Sequence, residues 1–323
     1  PNPKHYQDVL PATTSKPASS LHWKVNLGKG ERLGIGYIVP PPPTTGNSLG
    51  SYITVKADIK GPNDSTCVDK DKSASNANEF YRSLGGATIS HAIGENSSCQ
   101  LGDYNISLER TGSLEGQHDL PIELMLWKVP EAADTTTTSA PPTDKPQPTN
   151  LEVGKSAGKL PTAALGPSDA PTVKSGTYDA EIVPGEMLWF KVPVEEGQRL
   201  QMAFDVPPID LEDPNDIYGR LGRKISWSVM GPTLYPVVTK DAKKDSIDNN
   251  DYSVDVYRDA AATASTTTLP IRWDNINNSD SDVYSGFVSG EQYVALRYST
   301  IFRKADQNTQ SIPIKFRVAV AAT

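Results

Sequence analysis

One stretch of this chain is written twice. Leu21-His22-Trp23-Lys24-Val25-Asn26-Leu27-Gly28-Lys29-Gly30-Glu31-Arg32-Leu33 aligns without a gap on Leu188-Trp189-Phe190-Lys191-Val192-Pro193-Val194-Glu195-Glu196-Gly197-Gln198-Arg199-Leu200. Val39-Pro40-Pro41 continues onto Val206-Pro207-Pro208 at the same offset of 167, and nine of the 21 aligned positions are identical. A match of that length at a fixed offset marks a duplicated domain. Further correspondences follow once loops are allowed to differ. Tyr6 and Leu10-Pro11 answer Tyr178 and Val183-Pro184, and Ile59-Lys60-Gly61-Pro62 answers Val229-Met230-Gly231-Pro232. Asp103-Tyr104 answers Gln292-Tyr293, and Leu120 to Leu126 answers Ile312 to Val318. Two domains are therefore expected, 1–130 and 151–323, each of ordinary domain size.

The repeated block alternates as a half-buried strand does. Trp23, Val25 and Leu27 share one face, as do Phe190, Val192 and Val194, with Lys24, Asn26, Lys191 and Pro193 on the other. Gly28-Lys29-Gly30 and Glu195-Glu196-Gly197 supply a turn, so the block reads as a β-hairpin with Gly30 and Gly197 at its bend. Ile122, Leu124 and Leu126, and Ile314, Phe316, Val318 and Val320, make a closing one-sided strand in each copy. No long segment repeats apolar residues at helical spacing. The fold class is all-β: two duplicated β-sandwich, jelly-roll-like domains.

Between them, residues 131–150 run through Thr135-Thr136-Thr137-Thr138-Ser139-Ala140-Pro141-Pro142 to Pro146-Gln147-Pro148. Such Thr/Pro-rich sequence lacks the apolar surface to offset its ordering entropy and reads as a linker. The less polar stretch 151–175 is assigned to the entry of the second domain.

Cys67 and Cys99, the chain's two cysteines, both fall in polar loops of the first copy. A bridge between them is expected in an extracytoplasmic protein, and it would constrain the unfolded chain by roughly 3 kcal/mol. No CxxC spacing or histidine pair points to zinc. The net charge of −8 and pI near 5.1 disfavour nucleic acid and anionic membranes as partners. No segment reaches the roughly 20 apolar residues of a membrane span. Because Pro1 is not an initiator, the chain is expected to derive from a longer protein, which is compatible with an anchor in that parent.

Catalytic strings are weak. Gly46-Asn47-Ser48-Leu49-Gly50 matches a nucleophile-elbow pattern but follows a proline run, with no strand before it or helix after it. His5, His22, His91 and His118 are scattered, and His22 falls on the outward side of its strand. Two acidic loops of the second copy carry a calcium expectation: Asp205, Asp210, Glu212, Asp213 and Asp216, then Asp274, Asn275, Asn277, Asn278, Asp280 and Asp282. Calcium takes six to eight oxygens of this kind, although the same residues also build solvated turns. The aromatic residues Trp189, Trp273 and Tyr218 carry a ligand-binding expectation, since exposed rings stack on sugars.

The pattern Tyr178, Pro184-Gly185-Glu186, Trp189 to Val194 and Gly197-Gln198-Arg199-Leu200 resembles the strand–turn–strand signature of pre-peptidase C-terminal-type β-sandwich domains. It is similar, more closely, to the β-rich regions of actinobacterial envelope proteins that accompany von Willebrand factor type A domains. The resemblance implies a secreted or membrane-anchored, non-catalytic accessory module. The chain departs from that setting in lacking the type A domain's metal motif, for which Asp251-Tyr252-Ser253-Val254-Asp255 is the nearest string. The combined expectation is a non-enzymatic, extracytoplasmic spacer and interaction module whose partner is a cell-envelope protein or a glycan. The alternatives are a carbohydrate-binding accessory unit and, third, a hydrolase.

Overall fold

The computed structural model describes residues 4–12, 19–39, 52–72, 74–76, 84–94, 97–113, 119–129, 151–163, 166–183, 186–208, 224–241, 252–257, 260–299 and 313–323. The chain is all-β and forms two compact units. The first contains β1 (Lys4–Leu10), β2 (Ser19–Leu27), β3 (Arg32–Val39), β4 (Tyr52–Lys60), β5 (Lys70–Lys72), β6 (Ala74–Asn76), β7 (Leu84–Ile89), β8 (Gly102–Ser113) and β9 (Leu120–Val129). The second contains β10 (Gly176–Ile182), β11 (Met187–Val194), β12 (Leu200–Val206), β13 (Lys224–Met230), β14 (Pro236–Val237), β15 (Thr239–Asp241), β16 (Tyr252–Asp255), β17 (Ala262–Thr268), β18 (Gly290–Ser299) and β19 (Ile314–Ala322). A short helix, α1 (Ser281–Tyr284), follows a 3-10 turn at Trp273–Asn277. The linker expected at 131–150 lies outside the described residues.

Both units follow one plan. The sheets of the first run β1-β9-β3-β7-β5 and β2-β8-β4-β6; those of the second run β10-β19-β12-β17-β15 and β11-β18-β13-β14, with β16 also on β13. Without the short β5 and β15, this is the antiparallel order of a jelly roll, in which the chain crosses repeatedly between two sheets. The inward phases of both sheets meet in one core per unit. Ile35, Tyr37, Ile122 and Leu124 face Val55, Ile59, Ile106 and Leu108 in the first. Met202, Phe204, Phe316 and Val318 face Phe190, Val192, Trp227 and Leu296 in the second. There Phe204 stacks on Trp227 at 4.3 Å between ring centroids.

The repeated block is not a hairpin. β2 pairs with β8, while β3 pairs with β7 and β9, so the turn between β2 and β3 carries the chain from one sheet to the other. β11 and β12 behave identically, pairing with β18 and with β17 and β19. Alternation alone cannot separate two strands that pair edge to edge from two that face each other across a core. The glycines keep their expected role, Gly30 at φ 75° and Gly197 at φ 83°.

Strand registers correct two of the sequence correspondences. Val25 lies opposite Tyr104 and Val192 opposite Gln292, so Asp103-Tyr104 corresponds to Glu291-Gln292, one residue earlier than Gln292-Tyr293. Tyr37 lies opposite Leu124 and Phe204 opposite Val318, so Ile122 and Leu124 correspond to Phe316 and Val318. Matching Tyr to Tyr and Pro to Pro had hidden loops of unequal length. In the corrected register, the repeated lysine of each block salt-bridges the equivalent acid. Lys24 meets Asp103 at 2.7 Å and Lys191 meets Glu291 at 2.8 Å.

The expected disulfide is present between Cys67 and Cys99, both buried in the first unit's core. Removing it with Cys67→Ser and Cys99→Ser together should destabilise the first unit by roughly 3 kcal/mol and leave the second unchanged. Urea unfolding followed by hydrogen exchange in each unit would measure this.

The twin ion pairs also predict an acid limb in stability. Burial pushes the Glu291 carboxyl up, but hydrogen bonds from Lys191 and Thr172 outweigh it and leave the group below its ordinary 4.5. Hydrogen bonds from Lys24 and Asn26, with the Lys24 charge, lower Asp103 below 3.8. Carboxyls depressed by folding contribute fully above their ordinary values, and the contribution disappears as pH falls through the lowered ones. Melting temperature should therefore drop between about pH 5 and 3. Asp103→Asn with Glu291→Gln should flatten that drop.

Candidate functional site

The outer face of the sheet β10-β19-β12 carries a charged row that follows from strand periodicity. Along β10, Asp179 and Glu181 alternate with inward Ala180 and Ile182; along β19, Lys315 and Arg317 alternate with inward Ile314, Phe316 and Val318. Register then places Asp179, Arg317 and Asp205 side by side across three strands, and Glu181 opposite Lys315. The segment Ser156–Leu160 adds a wall along β10: Ala157 N–H donates to Thr177 O, Asp179 N–H to Gly158 O, and Leu160 N–H to Asp179 O. Lys159 and Pro207 complete an open cleft of about 420 Å³.

Inside it, two carboxylates are held. Arg317 donates one guanidinium nitrogen to Asp205 and another to the Gly154 carbonyl at 3.3 Å. Ser156 Oγ donates to Asp179 Oδ2 at 2.6 Å. Among the described residues, the side chains of Lys159, Glu181 and Lys315 make no hydrogen bond or ion pair. The uncommitted groups are thus two ammoniums and one carboxylate, with Glu181 on β10, Lys315 on β19 and Lys159 on the wall beside them. Such a face can receive an anionic group from a ligand while Glu181 accepts a donor beside it.

The other expected site residues fare differently. Asp205 sits in this cleft, paired with Arg317. Asp210, Asp213, Asp216 and Tyr218 lie outside the described residues, as do Glu212 and Ser48. Asp274 is in the first turn of the 3-10 segment, and the loop after it is built from Asx turns. Asp280 N–H donates to Asn278 Oδ1 at 2.8 Å, Asp282 N–H to Asp280 Oδ1 at 2.9 Å, and the Asp280 carbonyl accepts from Val283 and Tyr284. Asn275 turns inward, donating its amide to Pro270 O and Gly286 O. Among the described residues, no three His, Cys, Asp or Glu gather as a metal would require.

The expectation for Trp189 is corrected. It occupies the outward phase of β11, but at 2% exposure its ring offers no face to a ligand. Trp273 is half-buried, its ring tilted against Phe287 at 6.2 Å, and it does not line the cleft. His22 is exposed and shares a hydrogen bond with Ser20, as an outward strand residue does. Reading the sequence missed Lys159, Asp179, Glu181, Lys315 and Arg317. The available signal was the alternation of like charges in two strands of opposite sign.

No family model matches the chain, and no curated protein matches it; the resemblance to pre-peptidase C-terminal-type domains and to regions accompanying type A domains finds no support there. Among solved structures it is similar to the N-terminal CBM22-1–CBM22-2 tandem domain of Paenibacillus barcinonensis Xyn10C, at 11% identity over 100% of this chain and 92% of that one, with a TM-score of 0.23. It is also similar to the CUB1-EGF-CUB2 region of human MASP-1/3, at 12% identity over 91% and 99%, with a TM-score of 0.17. Overlaps this loose assign no ligand.

The Arg317–Asp205 pair is partly open to solvent, at 44% and 28% side-chain exposure. Such pairs contribute at most about 1 kcal/mol. Arg317→Met should therefore leave unfolding free energy within about 1 kcal/mol of the parent chain in urea titration, which makes it a clean probe of the cleft.

Proposed function

We propose that the chain is a non-enzymatic module of the extracytoplasmic space, a two-domain spacer that engages an envelope protein through the cleft on β10-β19-β12. The observation that carries this reading is the set of uncommitted charges, Lys159, Lys315 and Glu181, ranged beside the fixed Asp205–Arg317 pair on one sheet face. Strands β10 and β19 hold Glu181 and Lys315, and backbone hydrogen bonds to β10 hold the segment of Lys159, which lowers the entropy lost on binding. The balance of two free ammoniums against one free carboxylate favours an acidic polypeptide segment. The Cys67–Cys99 bridge supports an oxidising compartment. The features common to both units belong to the scaffold, and two of the cleft's three carboxylates, Asp205 and Asp179, are engaged with Arg317 and Ser156.

The test is retention of envelope components on immobilised protein, comparing the parent chain with the double variant Lys159→Glu, Lys315→Glu. An acidic protein retained by the parent and lost by at least tenfold in the double variant, with retention weakening as salt rises, is the expected result. Retention of purified wall glycan in place of protein would transfer the cleft to the carbohydrate alternative. Turnover of any retained component would overturn the non-enzymatic reading.

A further inference from the structure

Signs alternate across the charged face of the second unit. Lys159 bridges to Asp179, Asp179 lies opposite Arg317, and Arg317 lies opposite Asp205. One row therefore reads plus, minus, plus, minus over the wall, β10, β19 and β12. The next row along the strands carries Glu181 opposite Lys315, minus then plus. All of these residues are exposed except Asp205, which is half-buried. Neighbouring strands lie about 4.8 Å apart, so backbone register fixes the order and spacing of the charges.

An alternating row of even length is its own complement. Turned over about an axis parallel to the strands and midway between β10 and β19, the face reverses left for right, while each residue keeps its level along the strands. Lys159 then meets Asp205 of a second molecule, Asp179 meets Arg317, and Glu181 meets Lys315, each contact occurring twice by symmetry. Neither row brings like charges together. The cleft's three cations and three carboxylates sum to zero, so this face can approach its like without adding to the repulsion that a net charge of −8 imposes.

We propose that the face β10-β19-β12 pairs with the same face of a second molecule of this chain through an isologous two-fold contact. The pairing rests on reading this cleft as the binding face, and it gives the acidic segment a competitor, because self-paired molecules cover Lys159 and Lys315. An isologous contact uses each face once, so assembly closes at two molecules. Solvent-accessible charge pairs set orientation more than affinity, and the dimer is accordingly weak and reversible.

Sedimentation velocity of the intact chain over a concentration series at one ionic strength reads the association constant. The parent chain should show a reversible monomer–dimer equilibrium. Lys315→Glu sets two carboxylates against each other at both symmetric contacts, and Glu181→Lys does the same with two ammoniums, so each should lower the constant by about tenfold or more. The two substitutions change net charge in opposite directions, so a general charge effect would strengthen association in one of them. The double variant keeps both the net charge and the complementary pattern, and an equimolar mixture of the single variants forms complementary mixed pairs. Both should return to the parent value. The pairing is overturned by a parent chain that stays monomeric throughout the series, by single variants whose constants follow net charge, or by a double variant as weak as the singles. A monomeric chain that still retains an acidic envelope protein would strike the pairing and leave the reading of the cleft standing. A dimer that retains none would strike that reading and keep the pairing.

Discussion

Each unit hangs on a turn that carries the chain across its core. Gly30 N–H donates to Ile93 O and Ile93 N–H to Glu31 O; Gly197 N–H donates to Ile271 O and Ile271 N–H to Gln198 O. The side chains of Glu31 and Gln198 reach back to the backbone N–H of Gly28 and Glu195. Just beyond, Leu33 N–H donates to Ser90 Oγ and Leu200 N–H to Thr268 Oγ1, at 2.9 and 3.0 Å. Each bond contributes only about 1 kcal/mol, but a buried N–H left unmade costs more, so the set is obligatory once the chain crosses there. Because the turn fixes where β3 enters its sheet, it fixes which residues of β2 and β3 face each other. Every inward contact downstream inherits that register.

The repeat was legible because its identities fall on this machinery. Gly30 and Gly197 adopt positive φ, Leu33 and Leu200 receive the hydroxyl, and Lys24 and Lys191 find equivalent acids across the strand. The hairpin reading failed for a physical reason: the period of two reports that one face is buried, not which edge is paired. Tyr104 and Gln292 show the limit of identity matching. They differ in type, yet each closes its strand by donating to the carbonyl four residues upstream, Gln100 and Val288. Register revealed that equivalence where residue names could not.

Aromatic residues misled in the opposite way. Strand phase places Trp189 outward, and outward was equated with displayed; its 2% exposure shows that phase sets direction but not accessibility. The cleft was overlooked because its charges look, one strand at a time, like the ordinary polar face of a sandwich. Only lateral pairing brings Asp179, Arg317 and Asp205 into one row, and that pairing joins residues 112 or more apart.

The same register shows how the two units differ on the matching sheet face. The positions of Asp179, Glu181, Asp205, Lys315 and Arg317 are held in the first unit by Gln7, Val9, Ile38, Pro121 and Glu123. Four of those five are uncharged, so the charged cleft is a property of the second copy alone. A jelly roll tolerates this difference because its inner faces and sheet-crossing turn carry the fold, while the outer face of one sheet is free to vary. Two units built on one plan thereby present different chemistry on the matching sheet face, charged in the second and largely uncharged in the first.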